Sequence, residues 1–165
     1  MHPSSMSIMR RFANTYLQFN EEITIIDIGS LDINGSYKEL FDKEYWKYIG
    51  VDIIEGANVD VVLEEQYQLP FKDNSIDVVV SGQTLEHMSH PWVMMEEVGR
   101  ILKVGGFCCM VAPGHGPIHE KEDYWRILPD GMKTLANIAN LQIVEIGQSG
   151  ARTWNDSYLI AKKDS

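Results

Sequence analysis

Asp27-Ile28-Gly29-Ser30-Leu31-Asp32-Ile33-Asn34-Gly35-Ser36 closes an apolar run with one glycine turn and makes a second turn just ahead of a helical pattern. A loop of this kind can aim backbone N–H groups and a helix N-terminus at a bound anion. The same residues also suit an ordinary strand-to-helix connection, with Ser36 as a helix cap. Asp52 ends the next β-rich run, where a carboxylate can accept hydrogen bonds from both hydroxyls of a ribose or simply close a strand at the surface. Glu65 stands shortly before Leu69-Pro70-Phe71. An acidic edge beside an apolar face can hold an adenine, although a glutamate there can equally be a solvated charge. Histidine is the usual base near neutral pH. His87, in Leu85-Glu86-His87-Met88, and His115 and His119, after Pro113-Gly114, are the candidates, each with a structural role as the alternative. His2 is expected to be disordered. Tyr124, Trp125 and Arg126 can bind a sugar or another flat acceptor, or pack the helix that follows. Gly116 and Pro117 between His115 and His119 forbid a regular helix, and no cysteine or third histidine is nearby, so no metal site is expected.

Two nucleotide motifs are missing. Counted from Gly29, the second and third glycines of G-x-G-x-x-G are Leu31 and Asn34, and a leucine obstructs the close backbone approach that a pyrophosphate needs. No Gly-Lys-Ser/Thr follows, which excludes a P-loop.

The elements that must position these residues follow from periodicity. Ile23–Ile28 is a continuous β-branched run closed by Gly29, the pattern of a strand buried on both faces. Tyr37–Trp46 carries Leu40, Phe41 and Tyr45 at helical spacing. Residues 48–53, 59–63 and 75–81 read as further strands. Pro91 suits the first turn of a helix whose buried stripe is Met94, Val98, Ile101 and Leu102, stopped by Gly105-Gly106. Residues 107–112 form a fifth strand broken by Pro113-Gly114, residues 128–140 a helix, and residues 141–146 and 157–162 a closing antiparallel hairpin. Met9, Phe12, Tyr16 and Phe19 predict an N-terminal helix within residues 1–21, packed on the rest. Alternating strands and helices with a terminal hairpin predict one domain over residues 1–165. The fold class is α/β, a doubly wound, mostly parallel, seven-stranded sheet.

Composition narrows the function. With 24 acidic against 14 basic side chains the net charge is -10, a poor match to a phosphate backbone or an anionic membrane surface. No apolar run reaches the ~20 residues of a membrane span, and the first residues lack the apolar core of a secretory signal. The only cysteines, Cys108 and Cys109, are adjacent and cannot staple a domain. A reduced, cytoplasmic protein of a bacterium is the expectation.

The ordered set DIGS, GVDI, EEQYQLPFKDNSIDVVVS, LEHM and GRILKVGGF resembles the class I S-adenosylmethionine-dependent methyltransferases, in particular the small type-11 branch, over roughly residues 23–162. The resemblance implies a Rossmann-like sheet ending in an antiparallel hairpin, S-adenosylmethionine as cofactor and S-adenosylhomocysteine as product. Asp27, Gly29 and Ser30 then fall in the loop facing the methionine end. Asp52 falls on the ribose hydroxyls, Ile53 against the adenine, and Glu65 near the adenine amino group. Ser81 to Gln83 fall beneath the sulfonium, and Ile101 to Phe107 in the turn into the fifth strand. The stretch from Asp123 to Gly131 resembles one in bacterial methyltransferases linked to surface sugars and small metabolites, which implies a small-molecule or glycan-linked acceptor. The chain departs from the family pattern D/E-x-G-x-G-x-G by carrying Leu31 and Ile33 at the second and third glycines. Asp32 or Asn34 is expected to take over polar contacts there. The alternatives are a methyltransferase-like module that binds without turnover and a nucleotide-dependent oxidoreductase; the missing glycines and the terminal hairpin argue against the latter.

Overall fold

The computed structural model describes residues 2–119 and 121–164. Its centre is a seven-stranded sheet ordered β3-β2-β1-β4-β5-β7-β6. The strands are β1 (Ile23–Ile28), β2 (Trp46–Asp52), β3 (Val61–Val62), β4 (Ile76–Gly82), β5 (Leu102–His115), β6 (Gln142–Gln148) and β7 (Asn155–Lys162). The first five run parallel, and β7 pairs antiparallel with both β5 and β6, closing the sheet in the expected hairpin. Among the described residues four α-helices cover the faces: α1 (Pro3–Tyr16), α2 (Lys38–Phe41), α3 (Pro91–Ile101) and α4 (Pro129–Ile138).

β1 spans the residues its sequence predicts, with Ile26 opposite Ile49 of β2 and Val79 of β4. Its residues Ile25 and Ile26 are fully buried, because helices pack on both sides of the sheet. One core lies under α3 and α4, where Met94, Val98, Met132 and Ala136 meet Ile26, Val79 and Met110. The other lies under α1 and α2, where Met9, Phe12 and Phe41 meet Ile25, Val78 and Val80. α3 and α4 approach closely at Gly99, where a Cβ would collide with the Ala139 carbonyl. Asn140 in left-handed conformation (φ 54°) ends the α4 segment, and Leu141 N–H caps back onto the Ala136 carbonyl.

Three expectations are corrected. The helix expected over Tyr37–Trp46 is a single turn, Lys38–Phe41, because Trp46 opens β2 and is buried beside Phe41 and Phe19. The N-terminal helix stops at Tyr16; Phe19 lies beyond it, stacked on Trp46 at 5.0 Å between ring centroids. β5 does not stop at Pro113 but runs to His115, with the proline beside a register shift opposite β7, where a missing N–H is tolerated. At its start β5 also takes in Leu102 and the Gly105-Gly106 turn, which stays paired to Lys163. Among the described residues no helix is long and apolar enough to cross a membrane.

Phe12 has no exposed surface and anchors α1 on the sheet. Phe12→Ala is expected to lower the unfolding free energy by about 3–5 kcal/mol through lost burial and a residual cavity. Urea titration followed by circular dichroism measures this, and a loss below about 1 kcal/mol would show that α1 does not pack as described.

Candidate active site

The strand order reverses between β1 and β4, and a cleft of about 560 Å³ opens there at the carboxyl ends of β1, β2 and β4. Its volume suits a small ligand. Gly29 forms the floor with φ 76°, and a side chain there would collide with Thr84. Both facts require glycine.

Asp27 is almost fully buried at the end of β1, and its Oδ2 accepts a 2.6 Å hydrogen bond from the Tyr48 hydroxyl. Burial pushes its carboxyl up to about 7, with repulsion from Asp52 adding to the rise and the Tyr48 bond opposing it. Asp52 is held from both sides: its Oδ2 accepts Leu31 N–H at 3.2 Å and its Oδ1 accepts Ile54 N–H at 3.1 Å. Each oxygen keeps a lone pair for a ligand hydroxyl. Ile53 and Ile54 are half-exposed and, with buried Leu63, make one end of the cleft apolar.

At the other end stand three imidazoles. The rings of His87 and His119 are 5.2 Å apart, centroid to centroid. His87 Nδ1 lies 3.1 Å from the Glu122 carbonyl, which can only accept, so Nδ1 carries the proton and Nε2 of the neutral ring is left as an acceptor. His119 Nδ1 is 3.2 Å from Asp123. Arg126 grips both oxygens of Asp123 and holds that carboxyl down at about 2. The third ring is His2, expected to be disordered. Its Nδ1 sits 2.9 Å from the fully buried Asp156 and its ring stacks on Trp154. Gln83, in left-handed conformation at the end of β4, also donates to Asp156, at 3.1 Å.

The cleft thus brings together Asp27, Gly29, Ser30, Asp52, Ile53, Gln83, His87 and His119. It does not include Glu65, which is exposed, while its neighbour Gln66 lines the wall. Ser81 lies below the floor, donating to the Ile28 carbonyl. His115 is exposed at the end of β5, outside the lining. Tyr124, Trp125 and Arg126 also lie outside it. Trp125 donates its indole N–H to the Met88 carbonyl, and Arg126 is taken up by Asp123 and by the carbonyls of Gly116 and Pro117. The sequence offered no signal for His2, because its partner is at the far end of the chain. Among the described residues no cluster of three or more His, Cys, Asp or Glu is arranged to hold a metal ion.

Glu86, in the 3-10 turn after β4, is fully buried, and neither carboxyl oxygen has a hydrogen-bond partner among the described residues. Burial raises its carboxyl to about 8, with Asp123 and Asp156 adding repulsion and Arg126 opposing.

With this geometry in place, the comparisons identify the class. Residues 26–110 match the family described as a methyltransferase domain, and the chain belongs to that family, the class I S-adenosylmethionine-dependent methyltransferases. Over 113 residues it is 26% identical to 2-methyl-6-phytyl-1,4-hydroquinone methyltransferase 1, chloroplastic, of Oryza sativa subsp. japonica, a match covering 67% of this chain and 30% of that protein. The chain therefore spans about a third of the length of this curated relative. The solved [4+2]-cyclase SpnF superposes with a TM-score of 0.77 at 14% identity, covering 96% of this chain and 80% of that one. The 1,6-didemethyltoxoflavin-N1-methyltransferase of Burkholderia thailandensis, solved with 1,6-didemethyltoxoflavin and S-adenosylhomocysteine bound, gives 0.75 at 11% identity over 98% of this chain and 79% of that one. At such identities the likeness is one of fold.

Glu86 supplies a test of the electrostatics. In the folded chain it keeps its proton up to about pH 8, whereas unfolded it releases it near its ordinary 4.5. The folded state therefore binds the extra proton between those values. Its contribution to stability is full below pH 4.5 and is lost as pH rises through about 8. Glu86→Gln should remove that slope and raise stability at pH 8 by on the order of 2 kcal/mol or more. Thermal melts of both proteins at pH 5 and pH 8 decide it; parallel pH dependences would mean Glu86 is ionised at neutral pH.

Proposed function

We propose that the protein acts as a single domain that transfers a methyl group from S-adenosylmethionine to a small-molecule or glycan-linked acceptor. The observation that carries this reading is the charge of the cleft lining. Among the described residues it offers Asp27, Asp52 and Glu122 against Lys121, and no arginine. A pyrophosphate would meet carboxylates there, whereas a ligand with a sulfonium, an ammonium and a ribose finds complementary groups. The same lining disfavours the oxidoreductase alternative.

When bound, S-adenosylmethionine supplies a methyl group already activated on sulfur. Asp52 would accept hydrogen bonds from the ribose hydroxyls, Ile53 would lie against the adenine, and Asp27 with the loop from Gly29 would hold the amino-acid end. Gln83, also in the lining, is fixed by its bond to Asp156. The chain's main contribution is alignment of nucleophile and methyl group. For a hydroxyl acceptor, Nε2 of His87, 3.8 Å from Glu86 Oε1, is the candidate proton acceptor, with the His119 ring beside it and His2 and His119 both packed on Trp154. The rice relative and the Burkholderia neighbour are both named for small-molecule methyl transfer, which favours the same for this chain. Tyr124, half-exposed on the outer loop, offers a stacking surface for a glycan-linked acceptor. Cys108 and Cys109 are free and fully buried, with burial pushing the Cys108 thiol up to about 12, which suits a reducing cytoplasmic setting. A protein named as a [4+2]-cyclase shares this fold, so the fold alone does not dictate methyl transfer.

Calorimetric titration with S-adenosylhomocysteine, with NAD⁺ in parallel, tests the reading. Micromolar binding of the first alone is expected, and Asp52→Ala should weaken it by about 1–3 kcal/mol, or roughly fivefold to 150-fold. Binding of NAD⁺ alone overturns the proposal, and unchanged affinity in folded Asp52→Ala removes Asp52 from the site.

A further inference from the structure

The cofactor loop lacks two glycines of its family pattern, yet the structure holds it in a defined shape. The cause lies in the connection between β2 and β3. Leu31, at the second glycine position, extends its side chain over Gly56, where a Cβ would collide with it. Asp32 N–H donates to the Ala57 carbonyl at 3.0 Å. Asn58 then makes the densest set of contacts. Its Nδ2 lies 3.0 Å from the Ser30 carbonyl, 2.8 Å from the Ser36 hydroxyl and 2.9 Å from the Tyr48 hydroxyl, three acceptors that share its two hydrogens. Ser30 returns a bond from its Oγ to the Asn58 carbonyl, at 2.9 Å. The crossing is possible because Gly50 lies beneath, where a Cβ would strike the Asn58 carbonyl and Ser30.

The orientation of the carboxamide is determined by its partners. The Ser30 carbonyl can only accept, so the nitrogen must face it. The hydrogen of the Tyr48 hydroxyl is directed to Asp27 at 2.6 Å, so its oxygen accepts from Asn58. A directed chain therefore runs from Asn58 through Tyr48 to Asp27 at the cleft. Asn58 bears two costs for this arrangement. Its backbone is left-handed at φ 68°, and its Oδ1 is buried without a partner among the described residues. Such costs at one residue point toward a site rather than an ordinary turn.

We propose that Asn58 is a positioning residue for S-adenosylmethionine: its carboxamide, with Gly56 and Ala57, fixes the loop from Ser30 to Ser36 in place of the absent glycines. The inference rests on the cofactor reading above. Asn58 lies outside the cleft lining and acts through Ser30, Ser36 and Asp27, so its influence falls on the amino-acid end of the ligand. The adenosine end is held by Asp52, whose shorter bond, from Ile54 N–H at 3.1 Å, lies outside the loop, while its 3.2 Å bond from Leu31 N–H is the one link to it among the described residues.

The test compares S-adenosylhomocysteine with 5′-methylthioadenosine, which lacks the amino acid, by calorimetry on the whole chain. Asn58→Gly keeps the left-handed backbone and removes the carboxamide; Asn58→Asp keeps the shape and removes the N–H donors. Both variants are expected to bind S-adenosylhomocysteine at least tenfold more weakly, with affinity for 5′-methylthioadenosine changed by less than about threefold. Thermal melts identify either variant as folded, and one folded variant suffices for the comparison. Equal losses for the two ligands, or no loss, overturn the positioning role while leaving the cofactor reading intact. If the unmodified protein binds neither ligand, the cofactor reading itself has failed and the inference falls with it.

Discussion

β1 and β4 lie side by side in the sheet, yet the chain leaves them toward opposite faces, to α2 after β1 and to α3 after β4. That divergence opens the crevice, and the other features of the site adapt to it. Gly29 must turn the chain away within one residue of the strand end, against Thr84 arriving from β4. Neither side chain bulk nor an ordinary backbone conformation is possible there. Asp27 and Asp52 mark the ends of two adjacent strands, so their separation is set by sheet geometry rather than by flexible loops. A sheet covered on both faces makes that geometry stiff, which is why carboxylates at strand ends form a reliable binding frame.

The same burial that stiffens the frame makes its acids costly. Asp27 and Glu86 are both pushed upward by desolvation, in contrast to Asp123, which Arg126 holds down. Asp156, also fully buried, accepts from the hydroxyl of Ser4 and the amide of Gln83 and lies against the ring of His2. Buried carboxyl groups are therefore concentrated around the cleft and its rim, where Asp27, Asp123 and Asp156 are bound by Tyr48, Arg126 and Gln83 and Glu86 has no partner among the described residues. That distribution is expected when stability is surrendered locally for a site.

How much of this was legible in the sequence depended on the distance between partners. β1 was legible to the residue because a continuous β-branched run closed by Gly29 has one interpretation in a covered sheet. Asp27, Gly29 and Asp52 were legible for the same reason, since strand ends place them. The helix over Tyr37–Trp46 was overextended because helical spacing cannot reveal that Trp46 is claimed by a neighbouring strand. His2 was invisible, its partner Asp156 being 154 residues away. Asn58 was equally hidden, because its role exists only once the β2–β3 connection crosses over the loop at Ser30. Arg126 was read as a ligand group although Asp123, three residues earlier, supplied the more local partner.

That local pairing changes where acceptor choice must reside. The Asp123-Tyr124-Trp125-Arg126 segment ties the base of the long loop after β5 to the turn after β4. Tyr124 and Trp125 N–H groups share the Glu86 carbonyl, the Trp125 indole reaches Met88, and Arg126 closes back on Gly116 and Pro117. Ile127 N–H adds a bond to the Pro113 carbonyl. A segment with so many internal partners has few groups free for a ligand. The side chains this loop presents to the cleft are instead His119, Lys121 and Glu122, from the stretch that the clasp encloses. His119 is itself tied to the clasp, its Nδ1 3.2 Å and its N–H 3.3 Å from Asp123, so this rim of the cleft and the clasp form one hydrogen-bonded unit.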